Sequence, residues 1–441
     1  VKYGLEFEYG DIFAFPTIKQ LSANLKTPDE IFIKNYDYSK VNSVLARNTM
    51  DNLNTIKKIK FNNMLLIGST GYLGAHVLDA FLQSNKGIAY CLVREKDGLD
   101  IKERLRGVLN FYFGNKYNEL FDNRIKVVCG DIIKENLGLS EKDYSELKNN
   151  VDIVINSGAL VKHFGIKKKF EEINVKGTQS VIDFCLNTKK RLLHVSTISV
   201  SGNGEKEETV IETPENINDK KIFKESDIYV GQNIKGVYST TKFRAELLVL
   251  EAISSKGLDA QILRLGNITN RYSDGVFQMN ADENAFAKRI KSFIEIGAFP
   301  KYMLKHSIEL TPVDIAAEAI VKVANYTSHC NVLHIYDNNL LPIKLFIETL
   351  SELGINLLPV PEKMMTDIIT GILADNNRKD ILSGIIYDLN ENKQLVYTSR
   401  IRLNSSFTES FLERIRFNWK SIDKDYIIRY INYLRKIKFI K

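Results

Sequence analysis

An α/β fold, a doubly wound Rossmann-type parallel sheet followed by a smaller, mostly helical C-terminal domain, is what the sequence predicts. Three observations carry it. Short runs rich in Val, Ile and Leu alternate with helical patterns through the middle of the chain, a glycine-rich turn joins the first run to the first helix, and the alternation gives way to mostly helical patterning from about Arg271. Runs that are apolar throughout fit a parallel sheet covered by helices on both faces.

In order along the chain, strands are expected at 63–68, 89–94, 124–131, 151–157, 191–197, 261–267 and 331–336. Most close on Gly, Asn, Asp or Ser. Helices are expected between them, at 75–83, 102–111, 176–186 and 239–253. After Arg271 the strand near Val332 is the expected exception to a helical region, and 407–441 reads as amphipathic helices carrying Trp419. Such a region is expected to cap the C-terminal edge of the sheet, where doubly wound folds bind ligands. The first 26 residues hold a helix start at Pro16-Thr17, and 27–61 is a polar, Asn- and Lys-rich linker or surface-hugging arm.

Composition excludes several classes. The chain has 441 residues, 44% hydrophobic and 26% charged, which is the globular balance and not that of a disordered or fibrous chain. Its 61 Lys and Arg against 54 Asp and Glu leave +7, a mild and dispersed excess that gives no nucleic-acid patch. The run Lys167-Lys168-Lys169 reads as a solvated face. No apolar stretch approaches the ~18 residues of a membrane span. The four cysteines are scattered without a CxxC pair, so neither a disulfide framework nor a metal site is expected, and a reduced, cytoplasmic protein is. Beginning at Val1 without a signal peptide, the chain reads as a piece of a longer one.

The loop Gly68-Ser-Thr-Gly71-Tyr-Leu-Gly74 follows a strand and opens a helix. There the first glycine permits the sharp turn, the second lets backbone approach a pyrophosphate, and the third lets the helix pack on the sheet. Thr70, Tyr72 and Leu73 complete a cradle of helix N-terminal amides. Arg94 ends the next strand, where an NAD site would place a carboxylate for the ribose 2′-hydroxyl. An arginine suits a 2′-phosphate, and so NADPH. Arg104 is either a second clamp on that phosphate or a solvated helix arginine. Asp131, with Ile132 beside it, either reaches the adenine or turns the strand end. Asn156 either lines the cleft or caps its strand.

Tyr238-Ser-Thr-Thr-Lys242 places a phenol and an amine on one helix face, where the cation is expected to lower the phenol pKa. The strand ending His194-Val-Ser-Thr197 offers a hydroxyl to complete an oxyanion site. Ser196 and Thr197 point to opposite faces, and spacing alone leaves the choice open. His163 and His194 read as packed or surface histidines.

With these motifs the chain resembles the extended short-chain dehydrogenase/reductase family, and within it the terminal thioester reductase domain of nonribosomal peptide synthetases. The resemblance runs from about 62 to 325: GSTGYLG at 68–74, CLVRE at 91–95, CGDI at 129–132, NSGALV at 156–161, NVKGT at 174–178, VSTISV at 195–200, GVYSTTKFRAE at 236–246, RLGNITNRYSDGVFQ at 264–278 and ELTPVD at 309–314. It implies a Thr197, Tyr238 and Lys242 triad, with Lys242 also holding the nicotinamide ribose. Phe243 stands where Trp is common and Asn270 where Gly is common. The segment FEYGDIFAFPTIKQLSANL is similar to the end of a peptidyl carrier domain.

The expected domains are therefore a carrier remnant at 1–26, an arm at 27–61, an NADP-binding domain at 62–270 and a substrate- and carrier-binding region at 271–441. The activity so implied is NADPH-dependent reductive release of a peptidyl or acyl thioester, held on a phosphopantetheinyl carrier domain in cis, as an aldehyde or further to an alcohol. The alternatives are a nucleotide-sugar epimerase or dehydratase on the same fold, which would want an acid near position 94, and a non-catalytic dinucleotide-binding module.

Overall fold

The computed structural model describes residues 17, 29–96, 98–161, 166–202, 221–234, 236–375, 377–390, 392–395 and 401–441. The carrier-like segment 1–26 (Thr17 apart) and His163 lie outside the described residues. Seven strands form one sheet: β1 (Met64–Ile67), β2 (Ala89–Val93), β3 (Ile125–Cys129), β4 (Ile153–Asn156), β5 (Arg191–Thr197), β6 (Ala260–Leu265) and β7 (Val332–Ile335). Their order is β7-β6-β5-β4-β1-β2-β3, and every neighbouring pair is parallel. The chain thus winds outward in both directions from the β1–β4 junction, which places a crevice at the C-terminal ends of those two strands.

Alternation along β1 shows why an all-apolar run is needed. Met64 and Leu66 join one hydrophobic cluster, and Leu65 and Ile67 join the other. The first cluster is roofed by α1 (Tyr72–Ser84), α2 (Ile101–Phe113) and later segments. The second is roofed by α3 (Glu141–Asn150), α4 (Gly177–Thr188) and α5 (Val237–Lys256). Residues 33–45 pack on the second face. Val41, Val44 and Leu45 are buried there, Tyr36 bonds Glu251 of α5, and Asn48 bonds the backbone of Asn331 and Val332.

The C-terminal region comprises α6 (Ala285–Ile296), α7 (Val313–Ala324), α8 (Ile343–Glu352), α9 (Glu362–Ala374), α10 (Ser406–Arg414) and α11 (Lys424–Lys436). It holds more strand than expected, in short pairs: Ala298–Pro300 with Leu358–Val360, Ser307–Ile308 with Leu341–Pro342, Thr311–Pro312 with Ile268–Thr269, and Ile401–Leu403 with Lys221–Phe223. α7 and α10 do not belong to a cap, because they cover the first face of the main sheet through Ile320 and Phe411. Trp419 lies in the connection between α10 and α11, not in a helix. α6, α8 and α11 bury their own core around Phe277, Phe346 and Tyr430. That core joins the sheet domain at the start of α1, where the Tyr72 hydroxyl donates to the Thr269 and Val276 carbonyls. Among the described residues no helix is long and apolar enough to cross a membrane.

Candidate active site

The glycine loop sits at the β1–β4 crevice. Gly68 has φ +90°, and a side chain there would meet Ser157 and Gly158 of the strand β4 exit at 2.8–2.9 Å. A Cβ on Gly74 would lie 2.0 Å from the Gly68 carbonyl. Gly71 is the N-cap of α1, and its amide donates to the Gly68 oxygen at 2.9 Å. The result is a tight turn at the positive end of a helix of 13 residues. Leu73 packs on the core, and the Tyr72 ring turns away from the loop to pack against His76, Tyr112 and Phe277.

Beside the loop, Arg104 Nη1 donates to the Arg94 carbonyl at 2.7 Å, and Nη2 lies 3.4 Å from Thr70 Oγ1. Arg94 is exposed. The structure therefore brings the Arg104 side chain to the loop and ties it to the Arg94 backbone. Next to them lies a cleft of about 660 Å³ lined by Glu95, Lys96, Gly98, Leu99, Asp100, Ile101 and Cys129. Sequence reading missed these walls, which run from the end of β2 to the start of α2 and include the last residue of β3. Asp131 turns the end of β3, with its carboxylate accepting from the Ile133 amide at 3.2 Å. Ile132 is buried against Gly177.

Farther along the crevice, Thr197 is the last residue of β5 and Tyr238 stands in the first turn of α5. The Thr197 hydroxyl lies close enough to the Tyr238 phenol to favour its charged form, and Thr197 Oγ1 accepts from the Ser199 amide at 3.1 Å. Ser196, buried on the other face, has no hydrogen-bond partner for its hydroxyl among the described residues. Burial pushes the phenol up to about 12, and the Thr197 hydroxyl eases it down.

The hydrogen bonds of Lys242 among the described residues go to β5. Its amine, 2% exposed, donates to the Val195 carbonyl at 2.7 Å and lies 3.3 Å from His194 Nε2. Buried away from water, the amine takes the polar atoms of β5, and burial pushes its pKa down to about 8. His194 is held well below its ordinary value by burial and by Lys242. Its other nitrogen faces Asn156, whose Oδ1 accepts from the Gly158 amide at 3.1 Å. His194 is thus packed, and packed against the lysine.

One further residue escaped the sequence reading. Asn174, in a π-helical stretch (Glu171–Lys176), bonds both backbone groups of Leu160 and donates to Thr241 Oγ1 at 3.0 Å. It ties the β4 exit to the helix of Tyr238. Beneath the site, Glu246 of α5 and Arg264 of β6 form a fully buried ion pair, with contacts of 2.8–3.1 Å.

A glycine-lined loop at a helix N-terminus, arginines beside it, and a buried hydroxyl pair with an amine at the sheet's C-terminal end can bind a dinucleotide and protonate a carbonyl beside it. Comparison with known proteins bears on this. The model of the male sterility protein family matches residues 66–320. The chain is similar to a thiolation-reductase di-domain from an archaeal non-ribosomal peptide synthetase, with 30% identity and a TM-score of 0.81, covering 100% of this chain and 89% of that one. It is 29% identical over 304 residues to the L-2-aminoadipate reductase large subunit of Penicillium chrysogenum, covering 66% of this chain. It is 30% identical over 269 residues to a component of the linear gramicidin synthase of Brevibacillus parabrevis, covering 60% of this chain. The matched regions span only 21% and 5% of those two proteins.

Proposed function

Because this chain belongs to the male sterility protein family, and is an NAD(P)-binding reductase domain related to the terminal reductase domains of nonribosomal peptide and polyketide synthases and to fungal aminoadipate-reductase-like proteins, we propose that it uses NADPH to release a carrier-bound peptidyl or acyl thioester as an aldehyde. The observation that carries the reading is the Thr197–Tyr238 hydroxyl pair at the end of β5, with Lys242 one helical turn on.

The turn from Gly68 to Gly74 fits a dinucleotide loop, since a Cβ on Gly68 or Gly74 would collide with neighbouring backbone and force the turn open at the start of α1. The amides from Thr70 to Gly74 would hold the pyrophosphate, and Gly71, Tyr72 and Leu73 contribute theirs at the start of α1. Arg94 and Arg104 would grip a 2′-phosphate, Asp131 and Ile132 would flank the adenine, and Asn156 and Lys242 would face the nicotinamide end. The bound reduced dinucleotide supplies a hydride. Thr197 and Tyr238 donate hydrogen bonds to the oxygen that becomes negative at the thioester carbon, and the phenol can pass its proton there. The thiohemiacetal so formed loses its C–S bond, leaving an aldehyde and a carrier thiol. The solved thiolation-reductase di-domain, aligned along the whole chain, supports a carrier in cis, with residues 1–26 as its end.

The test is to mix the protein with NADPH and an acyl-pantetheine thioester, following nicotinamide absorbance and trapping the aldehyde. Stoichiometric loss of NADPH with aldehyde formation is expected. Tight cofactor binding with no turnover of any acyl thioester offered would overturn the reading.

A further inference from the structure

On the reductase reading given above, we propose that the Tyr72 hydroxyl is a positioning group. It pins the turn 269–276 along the crevice, on the side opposite Tyr238, and so sets where a thioester meets the phenol.

The chain leaves β6 at Leu265, whose partner in register is Thr197 of β5. Strands β5 and β4 stand between β6 and β1. Yet the side chain that bonds the turn belongs to Tyr72, the first residue of α1, beyond the end of β1. Residues 266–276 therefore cross three strand spacings, about 14 Å, at the C-terminal edge of the sheet. Ile268, Tyr272 and Val276 pack against the first hydrophobic cluster, whereas α5, which carries Tyr238, roofs the second. The turn and the phenol thus flank the crevice from opposite faces.

Within itself the turn is closed. The Arg271 amide donates to the Val276 carbonyl at 2.9 Å, the Gly275 amide donates to the Arg271 carbonyl at 3.0 Å, and Arg271 pairs with Asp274. What remains to be fixed is its place. From the C-terminal side, the Asp314 carboxylate takes the Tyr272 amide at 2.8 Å, and the Tyr426 hydroxyl of α11 donates to the Asn270 carbonyl at 3.0 Å. From α2, the Tyr112 carbonyl accepts from the Arg271 guanidinium at 2.9 Å. Tyr72 adds the tie to the glycine loop. Its one hydroxyl proton faces the carbonyls of Thr269, at 2.9 Å, and Val276, at 3.2 Å, which are the two ends of the turn. The amide of this same residue would hold the pyrophosphate, so a single side chain sets the distance from the coenzyme loop to the far side of the crevice. His76, Tyr112 and Phe277 surround the ring at centroid distances of 5.1–5.6 Å, so a phenylalanine keeps the packing and loses only the pin. Thr269 is 0% exposed, and water does not replace the lost donor.

Amide hydrogen exchange of Tyr72→Phe tests the pin without substrate or coenzyme. The Arg271 and Gly275 amides, which close the turn, are expected to exchange about fivefold faster than in the parent or more, while amides in the later turns of α1 keep the parent rate. Unchanged exchange at the turn would overturn the proposal whatever the enzyme reduces. Binding and rates are the second arm. The Tyr72 amide is retained, so the dissociation constant for NADPH should stay within about twofold, while KM for acyl-pantetheine rises about 5–10-fold and kcat changes less. Losses of equal size in NADPH binding and in KM would mark a merely structural residue and defeat the proposal. A parent that binds NADPH but reduces no thioester counts against the thioester reading, and the exchange result then decides on the pin.

Discussion

Tyr238 owes its chemistry to where β5 ends. The strand ends with the Thr197 hydroxyl near the phenol, and burial pushes the phenol up to about 12, so in the proposed reaction it is the donor at neutral pH. Tyr238→Phe removes the donor and leaves the glycine loop untouched. Turnover should fall by ~10²–10³ while the dissociation constant for NADPH stays within about twofold. Steady-state rates and a fluorescence titration on one preparation check both halves, and an active phenylalanine variant would remove Tyr238 from the reaction. Arg94 is the residue proposed here to separate the two nicotinamide cofactors. Exposed beside the Arg104–Thr70 contact, it has no carboxylate role to play toward a ribose hydroxyl. A charge-assisted contact is worth roughly 1.5–3 kcal/mol, so Arg94→Ala should weaken NADPH by about 10–100-fold and NADH by much less. Equal losses in KM for the two would mean that no 2′-phosphate is gripped there.

At the scale of the element, glycines in helices are not equivalent. Gly74 in α1 and Gly107 in α2 both sit within a helix, but a Cβ on Gly74 meets the Gly68 carbonyl at 2.0 Å and one on Gly107 meets nothing. Gly74→Ala should force α1 off the loop, costing ~1–3 kcal/mol and dinucleotide affinity together. Gly107→Ala should be neutral or stabilise by up to ~1 kcal/mol. Thermal melts with and without NADPH distinguish them. This contrast shows what a sequence exposes. The glycine loop, the YxxxK spacing and all seven sheet strands were legible, because strands buried on both faces are apolar throughout and a phosphate loop needs its glycines in order. Two-residue pairs such as Ile268–Thr269 with Thr311–Pro312 were not, because two residues carry no periodicity. The helix Ser39–Leu45 buries only Val41, Val44 and Leu45 and so looked like a polar arm. The Lys242–His194 contact was hidden for another reason, since it joins residues 48 apart through the packing of a helix on a strand.

Over the whole molecule, buried titratable groups pull stability in opposite directions with pH. His76, His194 and His334 lie in separate parts of the core, each beside a cation: Arg271, Lys242 and Arg264 respectively. All three are held below the ordinary 6.5 by burial first and by that cation second or later. His76 is pushed down to about 4, with one ring nitrogen on the Tyr72 carbonyl at 2.8 Å and the other without a partner among the described residues. Below pH 6.5 the unfolded chain takes a proton on His76 and the folded chain does not, so stability falls with falling pH. Between pH 7 and 5 that group alone removes about 2 kcal/mol. Glu309 has the opposite sign. Burial under Gly266 pushes it up to about 7 from 4.5, so the folded chain binds the proton first, and stability rises by about 2 kcal/mol over the same interval. His76→Gln should therefore flatten the acid loss of stability by about 2 kcal/mol, and Glu309→Gln should steepen it by a similar amount. The packing cost of each substitution cancels when urea midpoints at pH 7 and pH 5 are compared within one variant. If both variants ran parallel to the parent, neither group would titrate differently in the folded and unfolded chains, and the buried charges around the sheet would not set its acid tolerance.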